Sequence, residues 1–145
     1  MQMKKLLLVT LLFGFVFFLS SKVSAHMERS DVTIHGEMHI DPEDDPIIGQ
    51  DATLFFQMRD SKGIFLPKNC ECVGTISKDT KPVFSQTLTP VSSKDQQDDE
   101  NYRVVYAFPT SGHYYILFEG KKKSGPFFGP FSLVFEIQVD RTDAG

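Results

Sequence analysis

An antiparallel β-sandwich of immunoglobulin-like type, with about seven strands, is the fold this chain predicts, and three observations carry it. Apolar residues recur with a period of two along most of the sequence. Turn-forming residues interrupt those runs about every 8–12 positions, and nothing beyond residue 25 sustains a 3.6-residue period. The composition suits pleated sheet, with 14 Phe, 4 Tyr and no Trp among 145 residues. A small closed barrel would share these signals, but two packed sheets are the natural way to bury one face of every strand.

The elements follow in order. Over 31–40, Val32, Ile34, Met38 and Ile40 alternate with Thr33, His35, Glu37 and His39, the pattern of a half-buried strand. The acidic, proline-bearing stretch 41–46 ends it. A second strand covers 51–59, with Ala52, Leu54, Phe56 and Met58 on one face, and closes at Asp60-Ser61-Lys62-Gly63, where glycine permits a positive φ. A short piece, Ile64 to Leu66, leads past Pro67 to a strand at 70–77. Another spans 83–88, before a polar, exposed loop from Ser92 to Asn101. Tyr102, Val104, Tyr106 and Phe108 define the next strand, which turns at Pro109-Thr110-Ser111-Gly112 into 113–119. The last strand, 131–140, alternates Phe131, Leu133, Phe135, Ile137 and Val139 against more polar neighbours.

The amino terminus carries a different signal. Lys4 and Lys5 precede an apolar run from Leu6 to Leu19, and small residues lead to Val23-Ser24-Ala25. That order is a cleavable secretory signal, with His26 as the first mature residue. The run is shorter than the ~20 apolar residues a bilayer crossing needs, so no transmembrane span is expected in the mature protein. The expected organisation is a signal peptide at 1–25, an N-terminal tail at 26–30, the sandwich at 31–140 and a C-terminal tail at 141–145. Localisation is then the periplasm or extracellular space. Cleavage would remove three lysines and no acid, leaving 12 basic against 19 acidic residues and a formal charge of −7. Such a balance argues against nucleic acid, whose phosphates need a basic face.

Four groups of residues invite chemistry. His26 as a free terminus offers its α-amino group and imidazole to one metal ion, a bite suited to copper; signal peptidase also tolerates many residues there. His35, Glu37 and His39 share one strand face, about 7 Å between neighbours and ~13 Å between the two histidines, so Glu37 can share an ion with either histidine. As polar residues of a half-exposed strand they need no ligand at all. His113, at a strand start after Gly112, is a candidate distant partner for His26 or a side chain packed beside a turn. Cys70-Glu71-Cys72 holds two sulfurs on one side of an extended strand. In an oxidising compartment the default is a disulfide, with free thiols or a soft-metal site as alternatives. Lys121, Lys122 and Lys123 with Phe127 and Phe128 occupy one glycine- and proline-rich connection that can dock a partner, or else cover the end of the core. No nucleophile-elbow or H-E-x-x-H motif is present, so the expectation is not an enzyme.

Ile48-Gly49-Gln50-Asp51, then Leu54-x-Phe56 and Asp60-x-x-Gly63, together with Gly112-His113-Tyr114-Tyr115, resemble the YtkA-like and CopC-like periplasmic groups over about residues 30–140. The resemblance implies a secreted sandwich linked to copper handling. CopC-like proteins begin their mature chain with a copper-binding histidine, the position His26 matches. Their C-terminal aspartate-x-histidine pair and the paired methionines of YtkA-like domains have no counterpart here. The expected function is therefore an exported, non-enzymatic sandwich that binds or relays a metal ion, copper before others. The alternative is a metal-free interaction module of an envelope or membrane protein complex.

Overall fold

Alternation decides which way each strand faces, and the computed structural model, which describes residues 27–31, 33–92 and 100–142, follows it closely. Its strands are β1 (Met27–Ser30), β2 (Ile34–Asp41), β3 (Asp51–Asp60), β4 (Cys70–Lys78), β5 (Lys81–Leu88), β6 (Pro90–Ser92), β7 (Glu100–Ala107), β8 (Gly112–Lys122) and β9 (Phe131–Val139). They form two antiparallel sheets, ordered β1-β2-β3-β7-β6 and β5-β4-β8-β9. In β9 every second residue from Phe131 to Val139 is buried, and Ser132, Val134, Glu136 and Gln138 face out. The result is the two-sheet, all-β architecture the sequence predicts.

Aromatic side chains fill the space between the sheets. Phe56 of the first sheet packs on Phe118 and Phe135 of the second, at ring-centroid distances of 5.2 and 5.8 Å. Tyr102 meets Phe118 edge-on at 5.2 Å, and its hydroxyl donates to the Pro67 carbonyl at 2.7 Å, so the buried phenol keeps its hydrogen bond. Near the start of β8, the Tyr114 hydroxyl donates back to the Thr110 carbonyl at 2.9 Å, the tying device of a tyrosine corner.

Two short strands go beyond the seven expected. Met27–Ser30, read from sequence as a tail, pairs with β2 from Met27↔Met38 to Ser30↔His35. Pro90–Ser92 pairs with β7. Segments of three or four residues are too short to show a period. Their formation rests on neighbours that supply the missing hydrogen bonds. β1 also shields the outer edge of β9: Arg29 Nε donates to the Val134 carbonyl at 3.0 Å, and Ser132 N donates to Asp31 Oδ2 at 3.1 Å. An open sheet edge is thereby covered. Ile64–Leu66 forms no strand and runs into a 3₁₀ turn, Pro67–Asn69, opened by the proline. Of the expected loop at 92–101, the ends lie in β6 and β7, and 93–99 falls outside the described residues. Arg141, first residue of the expected C-terminal tail, bridges Ile47 and pairs with Glu43 at 2.9 Å and Asp45 at 3.6 Å.

Candidate metal centre

β2 turns Ile34, Met38 and Ile40 into the core, which leaves His35, Glu37 and His39 on the outer face of the first sheet. Gly36 lies on the inner face, where an added Cβ would come within 2.4 Å of Leu133 Cδ1. Pairing then supplies each candidate with neighbours. His35 stands between Ser30 and Arg59, and its Nδ1 lies 2.7 Å from the Ser30 hydroxyl, so any ion at this ring would have to be met by Nε2. Glu37 stands between Glu28 and Gln57, with Arg59 Nη2 at 3.7 Å. His39 lies opposite Phe55 and stacks on it, at 4.9 Å and an interplanar angle of 15°. Stacking fixes the ring plane while both nitrogens remain at its edge.

The structure separates these residues from His113. His113 is exposed on β8, opposite Gln138, on the outer face of the second sheet. With two sheets about 10 Å apart between the opposite outer faces, it cannot join β2's histidines around one ion. His26 lies outside the described residues. Among the described residues, no three His, Cys, Asp or Glu side chains are gathered to hold a metal. The donor set on β2, two imidazoles and a carboxylate, has the right chemistry for copper but supplies no more than a pair of ligands at one point.

Cys70 and Cys72 are joined as a disulfide with Cα atoms 5.5 Å apart. Both are buried, at 6% and 0% exposure, and Cys72 Sγ lies 3.5 Å from the Tyr102 hydroxyl. The bridge belongs to the core, and its sulfurs present no soft-metal site. Of the two readings for Phe127 and Phe128, docking a partner or covering the end of the core, Phe128 follows the second: it is 4% exposed and packs on Phe65 and Phe131. The i, i+1 spacing sends the two rings opposite ways, so only Phe127 reaches solvent, at 74% exposure. Lys121 pairs with Glu71 at 3.2 Å, while Lys122 and Lys123 are exposed beside it.

Several partners escaped the sequence reading. Ser30, Glu28, Phe55 and Arg59 surround β2's candidates only because of cross-strand register, which no local pattern reveals. Asp60 is another. Burial pushes its carboxyl up, but backbone N–H groups of Phe65, Ile64, Lys62 and Gly63 outweigh this and hold it below the ordinary 3.8. It organises a turn. Tyr106 is shifted upward by burial first and by nearby Tyr114 second, both marks of core packing.

No protein-family model matches this sequence, and no curated protein aligns with it significantly. Solved structures do. A copper-bound variant of FetP from uropathogenic Escherichia coli superposes with a TM-score of 0.58 at 13% identity, covering 79% of this chain and 95% of that one. FetP from the same organism, as isolated after expression in the periplasm of E. coli, gives 0.57 at 11% identity, covering 78% and 92%. The likeness is one of fold. No helix among the described residues is long and apolar enough to cross a membrane.

Proposed function

We propose that this chain is an exported, non-enzymatic β-sandwich that binds or relays a metal ion, copper before others. The observation that carries the reading is the outer face of β2, where strand alternation holds His35, Glu37 and His39 toward solvent. A copper-bound protein of similar fold adds support. His26 completes the donor set: its amino group and imidazole would hold the ion, with a β2 imidazole as the third nitrogen. Covalent connectivity ties His26 to Met27, whose partner is Met38, the neighbour of His39. His39 is therefore the favoured third ligand. Bound copper would be cargo or a redox ion, and the chain's own task is to orient nitrogens around it.

Calorimetric titration of Cu(II) into protein that begins at His26 tests the proposal, with one ion per chain expected. His26→Ala and His39→Ala should each weaken binding, while His113→Ala should not. Absence of stoichiometric copper would overturn the reading in favour of a metal-free interaction module, for which Phe127 speaks at 74% exposure.

A further inference from the structure

The two sheets turn unlike outer faces to solvent. That of the first sheet is charged through its middle, with Glu28, Glu37, Arg59 and Arg103 beside the β2 histidines. That of the second is largely neutral. Register lines up three rows across β4, β8 and β9: Val73–Glu119–Ser132, Thr75–Leu117–Val134 and Ser77–Tyr115–Glu136. All of these residues face outward, because those between them along each strand are buried. Only Glu119 and Glu136 among them carry charge. Val73, Tyr115, Leu117 and Val134 make the apolar centre, the last at 41% exposure. β5 extends the surface with Ser85, whose hydroxyl already lies 3.0 Å from that of Thr75. A flat sheet face with an apolar middle and few charges is suited to cover by another protein surface.

The places of the two acids point to the occupant. Glu119 and Glu136 lie on opposite sides of the Leu117 row, each two residues from it along its own strand. At the mirrored places on the same two strands stand Tyr115 and Ser132, both bearing hydroxyls. A two-fold axis along the Leu117 row lays each strand over its own counterpart, running the opposite way. Leu117 then meets Leu117 and Val134 meets Val134. Glu119 meets the Tyr115 hydroxyl of the other copy, and Glu136 meets that of its Ser132. Each carboxylate gains a donor, and symmetry makes every such contact twice.

We infer that this face is a self-complementary interface, on which a second copy of the chain docks sheet against sheet about the Leu117 row. Four strands about 4.8 Å apart and eight residues at about 3.3 Å each offer about 500 Å² per copy, or about 1,000 Å² in the pair. That is the low end for a specific interface, so the dimer is reversible. Copper plays no part in it, since the outer face of β2 points away from the contact in both copies.

Analytical ultracentrifugation of the exported chain over about 1–300 µM tests the inference, with a passage from monomer to dimer expected. Leu117 meets its own copy at the axis, so Leu117→Lys and Leu117→Glu should each weaken the dimer at least about thirtyfold by setting like charges together. An equimolar mixture of those two variants should recover it. Tyr115→Phe, which removes a hydroxyl at two symmetric places, should weaken it about tenfold. Val105→Lys, at 45% exposure in the parent and on the outer face of the first sheet, should leave it unchanged. Circular dichroism checks the fold of every variant, and Val134→Lys, at a more exposed place on the same row, repeats the test if Leu117→Lys does not fold. A monomer at every concentration, a dimer indifferent to charge on the Leu117 row, or a Lys–Glu mixture that stays monomeric would overturn the inference.

Discussion

Gly120 and Gly36 are both buried strand glycines facing the core, yet alanine should be tolerated at one far better than at the other. At Gly120 a new Cβ would lie 2.4 Å from Phe131 Cζ, 2.5 Å from Phe131 Cε1 and 2.8 Å from Cys70 Sγ. The first two atoms belong to a rigid ring and the third to a disulfide, so none yields by rotating a terminal bond. At Gly36 the nearest atoms are Leu133 Cδ1 at 2.4 Å and Met58 Sδ at 2.9 Å, the outer parts of flexible side chains. Overpacking a core costs about 1–3 kcal/mol, and alanine in a strand recovers roughly 0.5–1 kcal/mol over glycine. The net expectation is a loss of about 1–2 kcal/mol for Gly120→Ala and less than about 1 kcal/mol for Gly36→Ala. In urea the first corresponds to a midpoint lower by roughly 1 M at unchanged slope. Phe131→Leu in the Gly120→Ala background should give back part of the loss, a coupling of about 1 kcal/mol. Chemical denaturation of the parent, the single variants Gly120→Ala, Gly36→Ala and Phe131→Leu, and the double variant decides the matter. If Gly120→Ala matched the parent in stability, or fell no further than Gly36→Ala, the close packing of Phe131 and Cys70 against that strand would be wrong.

Asp60→Asn should destabilise by about 1–2 kcal/mol at neutral pH, because an amide nitrogen replaces one of the oxygens that accept backbone N–H groups. The folded carboxyl titrates below 3.8, so its contribution is present above that value and is lost as pH falls through the lower folded one; parent and variant should converge under acid, as pH-dependent melting would show. Replacing both Cys70 and Cys72 by Ala should cost roughly 1–2 kcal/mol, since the closed loop is short, and the native bridge should resist reduction and alkylation until the protein unfolds. One residue added before His26 should weaken Cu(II) binding sharply without altering the fold. Affinity should also fall as pH drops from about 8 to 6, where amino and imidazole groups gain protons; equal affinity of extended and processed chains would remove the terminal chelate. Tyr114→Phe should cost about 1 kcal/mol in thermal or chemical unfolding through the lost hydrogen bond to Thr110.

Much of this architecture was legible because strand periodicity is local. Side chains two apart face the same way in any extended segment. The sequence alone therefore assigned Phe131, Leu133, Phe135, Ile137 and Val139 to one side of the last strand, and His35, Glu37 and His39 to the side away from Met38. It likewise placed turns at Gly63 and Gly112, both of which adopt positive φ. Pairing is not local. Nothing in Met27–Ser30 announces a strand, since four residues gain their hydrogen bonds only when β2 lies beside them, and β2 acquires Ser30 and Glu28 as neighbours in the same event. Only the tertiary structure decided that His113 belongs to the opposite sheet, that Phe128 is buried while Phe127 is not, and that Asn69 draws two lysine-bearing connections together. Facing follows from the geometry of one strand. Neighbourhood follows from which strands meet, and contacts a hundred residues apart, such as Arg29 with Val134, carry no trace in either segment alone.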